Sequence, residues 1–325
     1  MKVTLKTWTV LVCFVLIFGS FTIVKADTVL FPVVASNYPN VITIVSVTNY
    51  GGSTDSTDLM YIYNYKASII DSTPNHTGGC SVDVGVLPTF VPDLVSFDAS
   101  GAFNSGYALF NDPDDYGGPF TPGFAGPVRA YLLVTNSTSG GSRVDVGYAW
   151  SLSGEAIVMD IMTGAAWGYT ALNDYNREDF SFYSSGVANV LDAGWLKRFS
   201  FFPPSEWTTK LFITPIGTSM ESTDSTTTVR ILGYGGSDSG SITDRSDTTY
   251  NFNVSQLVNC TAAVNLSELM DSTAWAGIYY SGGWGWLEIV SGDSTVVYKL
   301  EYVINNPTYG GTNNNAYILS TLDGP

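Results

Sequence analysis

The stretch GYAWSLSGEAIVMDIMTGAAWGY, residues 147–169, carries only two charged side chains, Glu155 and Asp160, and is otherwise apolar, aromatic or small. On either side of it the chain resembles two diverged copies of one β-rich unit. We therefore expect this stretch to lie between the two units. Within it, residues 156–162 fit a buried strand or a short helix, because hydrophobic periodicity does not separate the two over so short a run.

The composition is typical of strands joined by polar turns. Hydrophobic residues make up 45% of the chain and charged residues 13%, well below the usual quarter for charged residues. β-Branched and aromatic residues are common, whereas the helix-forming residues Lys, Glu and Gln are scarce. A chain of 325 residues is also long enough for two domains. The sequence predicts an all-β protein.

Short matches recur in the same order in both halves of the chain. The pentapeptide STDST stands at residues 53–57 and again at 222–226. The other matched pairs are residues 30–32 with 201–203, 41–48 with 209–214, 59–65 with 228–234, 128–134 with 296–302, and 148–154 with 317–324. One match would mean little in a chain so rich in Ser and Thr, but the ordered series favours an internal duplication.

The duplicated unit predicts two tandem antiparallel β-sandwiches. Each unit has several short runs with partial alternation, separated by Gly- and Asp-rich turns. We expect a jelly-roll-like plan, because neither unit holds the two cysteines and intervening Trp of an immunoglobulin domain. The predicted segments are a signal peptide (1–26), a first sandwich (27–155), an apolar and aromatic bridging segment (156–198) and a second sandwich (199–325).

The N-terminus has the pattern of an export signal. A positively charged start and an apolar run at residues 10–18 precede a small-x-small cleavage pattern at residues 24–26. An uncleaved anchor is the alternative, since residues 8–24 are nearly long enough to span a bilayer. We expect cleavage, no remaining membrane span, and a secreted, periplasmic or cell-surface location outside the cytoplasm.

The net charge of −16 becomes −19 when the three lysines of the signal peptide are removed. Nucleic acids and anionic lipid surfaces bind through basic groups that replace counterions. An acidic chain is therefore not expected to bind nucleic acid. The partners that remain are an extracellular glycan, a protein surface, or further copies of the same chain.

Two cysteines, Cys80 and Cys260, remain after the signal peptide. In an oxidising compartment an even number favours one disulfide over two buried thiols. The closed loop of about 180 residues would stabilise the fold by on the order of 5 kcal/mol. The single histidine, His76, lies in a turn-like segment and does not suffice for a zinc site, a haem attachment or a serine triad.

Four carboxylates are candidates for a glycosidase pair: Glu155, Asp160, Glu206 and Glu268. On an extended strand Glu155 and Asp160 would lie on opposite faces and about 16 Å apart, which does not suit two groups acting on one sugar. We therefore predict no catalytic residues and no enzyme, and keep a glycan-active hydrolase as the least favoured alternative.

One acidic loop groups oxygen ligands as a calcium site does, at Asn111, Asp112, Asp114 and Asp115. The alternative is an ordinary turn held by side-chain to backbone hydrogen bonds. Structural calcium is the one cofactor that the sequence suggests.

Two aromatic alternations mark candidate ligand-binding strands. Tyr61, Tyr63 and Tyr65 share one face of a predicted strand, and Trp284 and Trp286 share one face of another. Rings about 7 Å apart on an exposed strand can stack on sugar rings. The favoured alternative is an inward-facing core stripe or a cross-strand aromatic ladder.

Five Asn-x-Ser/Thr triplets are glycosylation acceptors if the host modifies exported proteins. They begin at Asn75, Asn136, Asn253, Asn259 and Asn265.

Residues 155–169 and 206–215 resemble a group of uncharacterised exported bacterial proteins with β-rich sequences. The resemblance implies an envelope or secreted location and brings no activity, cofactor or site with it. The leading hypothesis is a non-catalytic secreted or cell-surface protein with a structural, adhesion or interaction role. The alternative is a carbohydrate-binding protein that uses its aromatic strands.

Overall fold

The structure is a computed structural model. It describes residues 27–51, 58–67, 81–89, 91–103, 120–123, 127–142, 144, 151–162, 165–173, 190–191, 196–215, 229–232, 239–243, 249–253, 260–270, 272–282, 284–291, 295–303 and 316–321. In these parts of the chain lie nineteen strands, one 3₁₀ turn (Leu266–Leu269) and one helix, α1 (Ser272–Ser281). The prediction of an all-β protein is confirmed.

The strands are β1 (Thr28–Ser36), β2 (Val41–Asn49), β3 (Asp58–Ala67), β4 (Ser81–Leu87), β5 (Asp93–Asp98), β6 (Val128–Ser137), β7 (Leu152–Asp160), β8 (Ala165–Thr170), β9 (Leu172–Asn173), β10 (Val190–Leu191), β11 (Leu196–Phe201), β12 (Thr208–Pro215), β13 (Val229–Leu232), β14 (Ser239–Thr243), β15 (Thr249–Asn253), β16 (Ala262–Asn265), β17 (Gly285–Ser291), β18 (Thr295–Val303) and β19 (Ala316–Thr321). All the strand pairs described are antiparallel.

Two sheets pack face to face in the first half. Their strand orders are β4-β3-β6-β1-β9 and β5-β2-β7-β8. The core between them includes Phe31, Tyr63 and Leu132 of the first sheet and Val45 of the second. At Gly154 of β7 a Cβ atom would lie 2.4 Å from Phe31 Cζ, so the close approach of the two sheets requires glycine there.

The central strands β3, β6 and β1 of the five-stranded sheet are buried on both faces, whereas its edge strand β4 is partly exposed. On β3, Tyr61 and Tyr63 point to one side and Met60 and Ile62 to the other, and all four side chains are buried. A strand buried on both faces has a nearly continuous apolar sequence rather than a clean alternation. This burial accounts for the only partial alternation of the run at residues 59–65.

The second half repeats a two-sheet arrangement. Its sheets have the orders β11-β17-β13 and β18-β12-β16, and both β10 and β19 pair with β18; β14 and β15 form a separate two-stranded sheet. Between the sheets, Phe201, Leu211 and Ile213 form a second core with Ile278 of helix α1.

The segment predicted to bridge the two units forms strands within them. β7 crosses the predicted boundary between residues 155 and 156, and its alternating buried and exposed side chains show a strand rather than a short helix. β7 and β8 complete the second sheet of the first half, while β9 pairs with β1. Residues 156–173, as far as the structure describes them, therefore belong to the sheets of the first half.

Aromatic side chains join the two halves. Trp167 of β8 stacks on Phe212 of β12 with ring centroids 5.8 Å apart, and Tyr169 lies 5.4 Å from Tyr298 of β18. The Thr214 hydroxyl donates to the Pro32 carbonyl at 2.7 Å. Phe212 and Tyr298 belong to the same buried cluster as the first-half core, so one apolar core runs across the junction.

The irregular part of β1 is held by a tyrosine from the opposite sheet. The register of β1 against β6 shifts between Phe31 and Val34. The Tyr169 hydroxyl donates to Val33 O at 2.6 Å and accepts from Val33 N at 3.2 Å. It thereby satisfies backbone groups that the bulge removes from the ladder, and burial raises the pKa of Tyr169 well above its usual value.

A fully buried carboxylate anchors the start of β1. Asp27 Oδ2 accepts from Leu152 N at 2.7 Å, from Asn173 Nδ2 at 3.1 Å and from Ser151 Oγ at 3.4 Å. Its Oδ1 accepts from Thr28 N at 3.1 Å. One side chain therefore ties the beginnings of β1 and β7 to β9.

Candidate functional site

The tyrosines predicted as a sugar-stacking face lie on the core side of β3. The Tyr61 and Tyr63 ring centroids are 4.7 Å and 6.0 Å from that of Phe120, and Tyr65 is half-buried at 6.0 Å from Tyr63. Burial, followed by the charge of Asp83, raises the pKa of Tyr61 to about 12. These positions fit the inward core stripe, and Tyr61 and Tyr63 offer no ring face to a ligand.

The two predicted ligand tryptophans, Trp284 and Trp286, are placed differently from the tyrosines of β3. Trp284 directly precedes β17, and 46% of its surface is exposed. Trp286 lies within β17 opposite Ser200 of β11, and its side chain is outside the description. Trp284 is therefore the one predicted aromatic ligand residue with a substantially exposed ring among the described side chains.

Helix α1, which ends three residues before Trp284 in the sequence, carries further rings. The Trp275 and Tyr279 centroids are 6.0 Å apart, and those of Tyr279 and Tyr280 are 5.4 Å apart and nearly perpendicular. Tyr280 is 84% exposed. We call Trp275, Tyr279, Tyr280 and Trp284 the α1 aromatic surface. Trp275 packs partly against the second core and Tyr279 is half-buried, so Tyr280 and Trp284 present the exposed rings of this surface.

The position of the α1 aromatic surface follows from how the helix is fixed. Ala274 and Ile278, four residues apart on one face, are buried against the second core. The helix ends before Gly282, which has a positive φ of 62°, as is common after a helix C-terminus. Since one face is buried, Tyr280 is directed to solvent.

Sequence reasoning did not find this helix. Its signals are present in Asp271-Ser272-Thr273, a run of N-cap residue types, and in the paired glycines at 282–283 that follow the helix. The strand-like composition of the rest of the chain concealed them.

A second candidate is an open groove on the outer surface of β7 and β8. It has a volume of about 460 Å³ and is lined by Glu155, Ala156, Ile157, Ala166, Trp167, Gly168, Tyr169 and Thr170. Glu155 and Ile157 are exposed there, whereas the Tyr169 side chain is buried on the core side of the sheet, where its hydroxyl contacts Val33. The groove thus has an apolar centre with a carboxylate at one side.

The four candidate carboxylates have different surroundings. Glu155 and Glu206 are exposed, the first on β7 and the second in the turn before β12. Asp160 ends β7, where its Oδ1 accepts from Met162 N at 3.0 Å. Glu268 lies in the 3₁₀ turn and contacts Asn265. These contacts are those of turns and caps.

One buried ion pair was not singled out from the sequence. In β18, Lys299 Nζ lies 3.3 Å from Glu301 Oε1 and donates to Ser200 O at 2.9 Å. Glu301 is fully buried and accepts from the Thr209 hydroxyl at 2.9 Å. Burial raises the pKa of Glu301, and the Lys299 charge opposes that shift. The pair links β12 and β18 to β11 inside the second core, where it has a structural role.

Several predicted residues lie outside the described part of the chain. These are Asn111, Asp112, Asp114 and Asp115 of the calcium loop, Cys80, and His76. Cys260 is described and fully buried, and its pairing with Cys80 stays a prediction. The described residues contain no group of three or more His, Cys, Asp or Glu side chains that could hold a metal ion. The part of the chain described also has no helix of the length and apolarity needed to cross a bilayer.

No family model matches the chain, and no curated protein sequence matches it.

Proposed function

We propose that the chain is an exported, non-catalytic β-sandwich protein that acts outside the cytoplasm through its surface, as a structural, adhesion or interaction component. The α1 aromatic surface carries this proposal. Tyr280 is 84% exposed, although a large aromatic side chain normally gains free energy by burial. An exposed ring on a fixed helix, with a second exposed ring four residues later in the sequence, is what we expect of a surface that another molecule covers.

The alternative proposal is that the chain binds a carbohydrate through the α1 aromatic surface. Tyrosine and tryptophan present flat apolar faces, and the tyrosine hydroxyls add polar edges, which suits the mixed surface of a sugar ring. Helix α1 has no acidic residue in its first turn and no basic residue in its last turn, so a neutral ligand meets no strong local charge. This hypothesis now rests on Trp284 and the α1 side chains rather than on Tyr61 and Tyr63.

Two variants test the surface. Tyr280→Ala combined with Trp284→Ala should weaken glycan or partner binding roughly tenfold or more, since each aromatic stacking contact is worth about 0.5–1.5 kcal/mol. Tyr50→Ala is the matched control, because Tyr50 is 56% exposed in the first half. A glycan array identifies the ligand, and titration calorimetry measures the affinities. Equal loss in the control, or no ligand for the wild-type protein on glycans or envelope fractions, would contradict the proposal.

The tandem duplication belongs to the same proposal. In the order of each half, β3-β6-β1 corresponds to β13-β17-β11, and β5-β2-β7-β8 corresponds to β16-β12-β18-β19. This correspondence supports two copies of one jelly-roll-like unit in which the chain repeatedly crosses between two sheets. It pairs β2 with β12 and β3 with β13, as the sequence matches do. It pairs β18 with β7, however, whereas the match of residues 128–134 with 296–302 aligned β18 with β6.

Export is proposed from the N-terminal pattern. N-terminal sequencing of protein recovered from the culture medium or cell surface should begin at Asp27. Protein recovered with an intact N-terminus and bound to membranes would support the anchor instead.

The disulfide proposal concerns Cys260. We propose that Cys260, which is fully buried, forms a disulfide with Cys80. Peptide mapping without reduction should recover one fragment that contains both cysteines, and recovery of Cys80 as a free thiol would contradict the pairing.

A further inference from the structure

Lys210 and Asn265 are direct neighbours across two strands of the second half. The β12–β16 ladder pairs Lys210 with Asn265 and Leu211 with Val264. Directly opposite residues in an antiparallel pair have Cβ atoms about 4.5–5.5 Å apart and share one face of the sheet. The two side chains therefore share one face of the sheet, and the lysine amine, which lies over Tyr302 of β18 on the other side of β12, has to turn toward β16 to meet the side-chain carbonyl carbon of Asn265.

Glu268 contacts the same asparagine. Asn265 Nδ2 donates to Glu268 Oε1 at 2.8 Å, and Asn265 N donates to Glu268 Oε2 at 3.1 Å. Asn265 Oδ1 is buried and accepts no hydrogen bond. Asn265 and Glu268 are the residue pair of a capping box at the 3₁₀ turn, an arrangement that directs this oxygen toward the backbone N–H of Glu268. The amide is also held by its nitrogen.

The environment of Lys210 makes its amine easier to deprotonate than that of an exposed lysine. Lys210 is half-buried, its Nζ lies 5.9 Å from the centre of the Tyr302 ring, and it has no salt bridge among the described residues. Burial lowers the pKa of Lys210, and repulsion by Arg129 lowers it further. The charges of Glu268 and Asp160 act in the opposite direction. A neutral amine is the nucleophilic form of lysine.

We propose that Lys210 and Asn265 form an intramolecular amide bond that crosslinks β12 to β16, with Glu268 as the proton relay. The neutral Nζ attacks the Asn265 side-chain carbonyl carbon, the Nζ–Cγ bond forms, and the Cγ–Nδ2 bond breaks. A proton from Nζ passes through Glu268 Oε1 to Nδ2, which leaves as ammonia. The step needs no oxidant, reductant or cofactor.

The other buried lysine of this sheet provides an internal comparison. Lys299 lies opposite Leu211 on one side and Ser320 on the other, so it has no amide neighbour in the ladder. Its amine is also occupied by Glu301 and by a backbone carbonyl. The same reaction is therefore not expected at Lys299.

Mass spectrometry of the purified, folded and reduced protein tests the bond. The wild-type chain should be lighter than its sequence mass by one ammonia, and trypsin should leave the chain uncut after Lys210 while cutting after Lys299. The digest should yield one branched peptide that joins Lys210 to Asn265. Lys210→Arg keeps the positive charge and should restore the full mass.

Glu268→Gln tests the relay. Glutamine can still accept a hydrogen bond from Asn265 but is a poor proton carrier, so the folded variant should lose most of the crosslink. Circular dichroism verifies that the variant is folded. The mass and tryptic cleavage of the wild-type protein test the amide bond even if no variant folds. An unchanged crosslinking rate in Glu268→Gln would overturn the role of the glutamate.

Three results would overturn the bond itself. Full sequence mass with normal cleavage after Lys210 would leave Asn265 and Glu268 as a plain cap. Loss of ammonia with Lys210 still cleavable would indicate a succinimide at Asn265. A glycan on Asn265, which begins one of the Asn-x-Ser/Thr triplets, would show that its amide nitrogen is retained.

Discussion

Asp27→Ala removes the acceptor of four hydrogen bonds at the start of β1. The variant leaves two buried backbone donors, Leu152 N and Thr28 N, without the carboxylate oxygens that lie 2.7 Å and 3.1 Å from them. Asn173 Nδ2 keeps the Leu152 carbonyl at 3.0 Å, and the Ser151 hydroxyl keeps another acceptor. Leaving the buried Leu152 N without its acceptor costs about 1–3 kcal/mol, and this is the loss we expect.

Urea unfolding followed by tryptophan fluorescence measures this loss. With an m-value of about 3 kcal/mol/M, the midpoint should fall by about 0.3–1 M. Asp93→Ala is the control, because Asp93 Oδ1 accepts from Leu94 N at an exposed position, and we expect it to cost less than about 1 kcal/mol. If the two variants shift the midpoint equally, Asp27 does not anchor β1 and the hydrogen-bond reasoning is refuted.

Three further predictions concern side chains in the interior: two test contacts between the sheets, and one tests the pH dependence of stability. Gly154→Ala places a methyl group against the Phe31 ring and should destabilise the fold by about 1–3 kcal/mol; a neutral result in a thermal melt would mean that the sheets separate freely. Tyr169→Phe removes the hydroxyl that holds Val33 N and O and should cost about 1–3 kcal/mol, measured by urea unfolding, with no loss arguing against the bulge contact. The pKa of Glu301 is raised in the folded state, so at pH values above about 4.5 the folded protein holds a proton on Glu301 that the unfolded protein has lost. The contribution of Glu301 to the free energy of unfolding therefore falls as the pH rises. The urea midpoint of Glu301→Gln relative to wild type should therefore rise with pH, and a constant difference across pH 4–8 would contradict the shift.

Local composition was sufficient to predict the strands. Residues 59–65 and 296–302 lie in β3 and β18 as expected, because β-branched and aromatic side chains favour extended backbone in any sequence context. Helix α1 was missed because ten residues of mixed propensity have no strong periodic signal. Its helical state depends on Ala274 and Ile278 packing against the second core.

The candidate site was only partly predictable. The alternation of Tyr61, Tyr63 and Tyr65 identified residues on one face of a strand but not the direction of that face. Trp284 is exposed, and its role as a ligand residue stays a prediction; Tyr280, four residues earlier, carried no alternation signal because it lies on a helix. Pattern therefore located aromatic residues, and packing decided which of them are exposed.

By itself the sequence determined that this chain is built of strands and that it is acidic, because propensity and charge are properties of each residue. The tertiary structure decided which residues far apart in the sequence contact one another. Sheet pairing brings Asp27 to Leu152, Tyr169 to Val33, and Lys210 to Asn265 across long sequence separations. Such contacts depend on strand order and register, which are set by the burial of whole sheets and not by any local stretch of sequence.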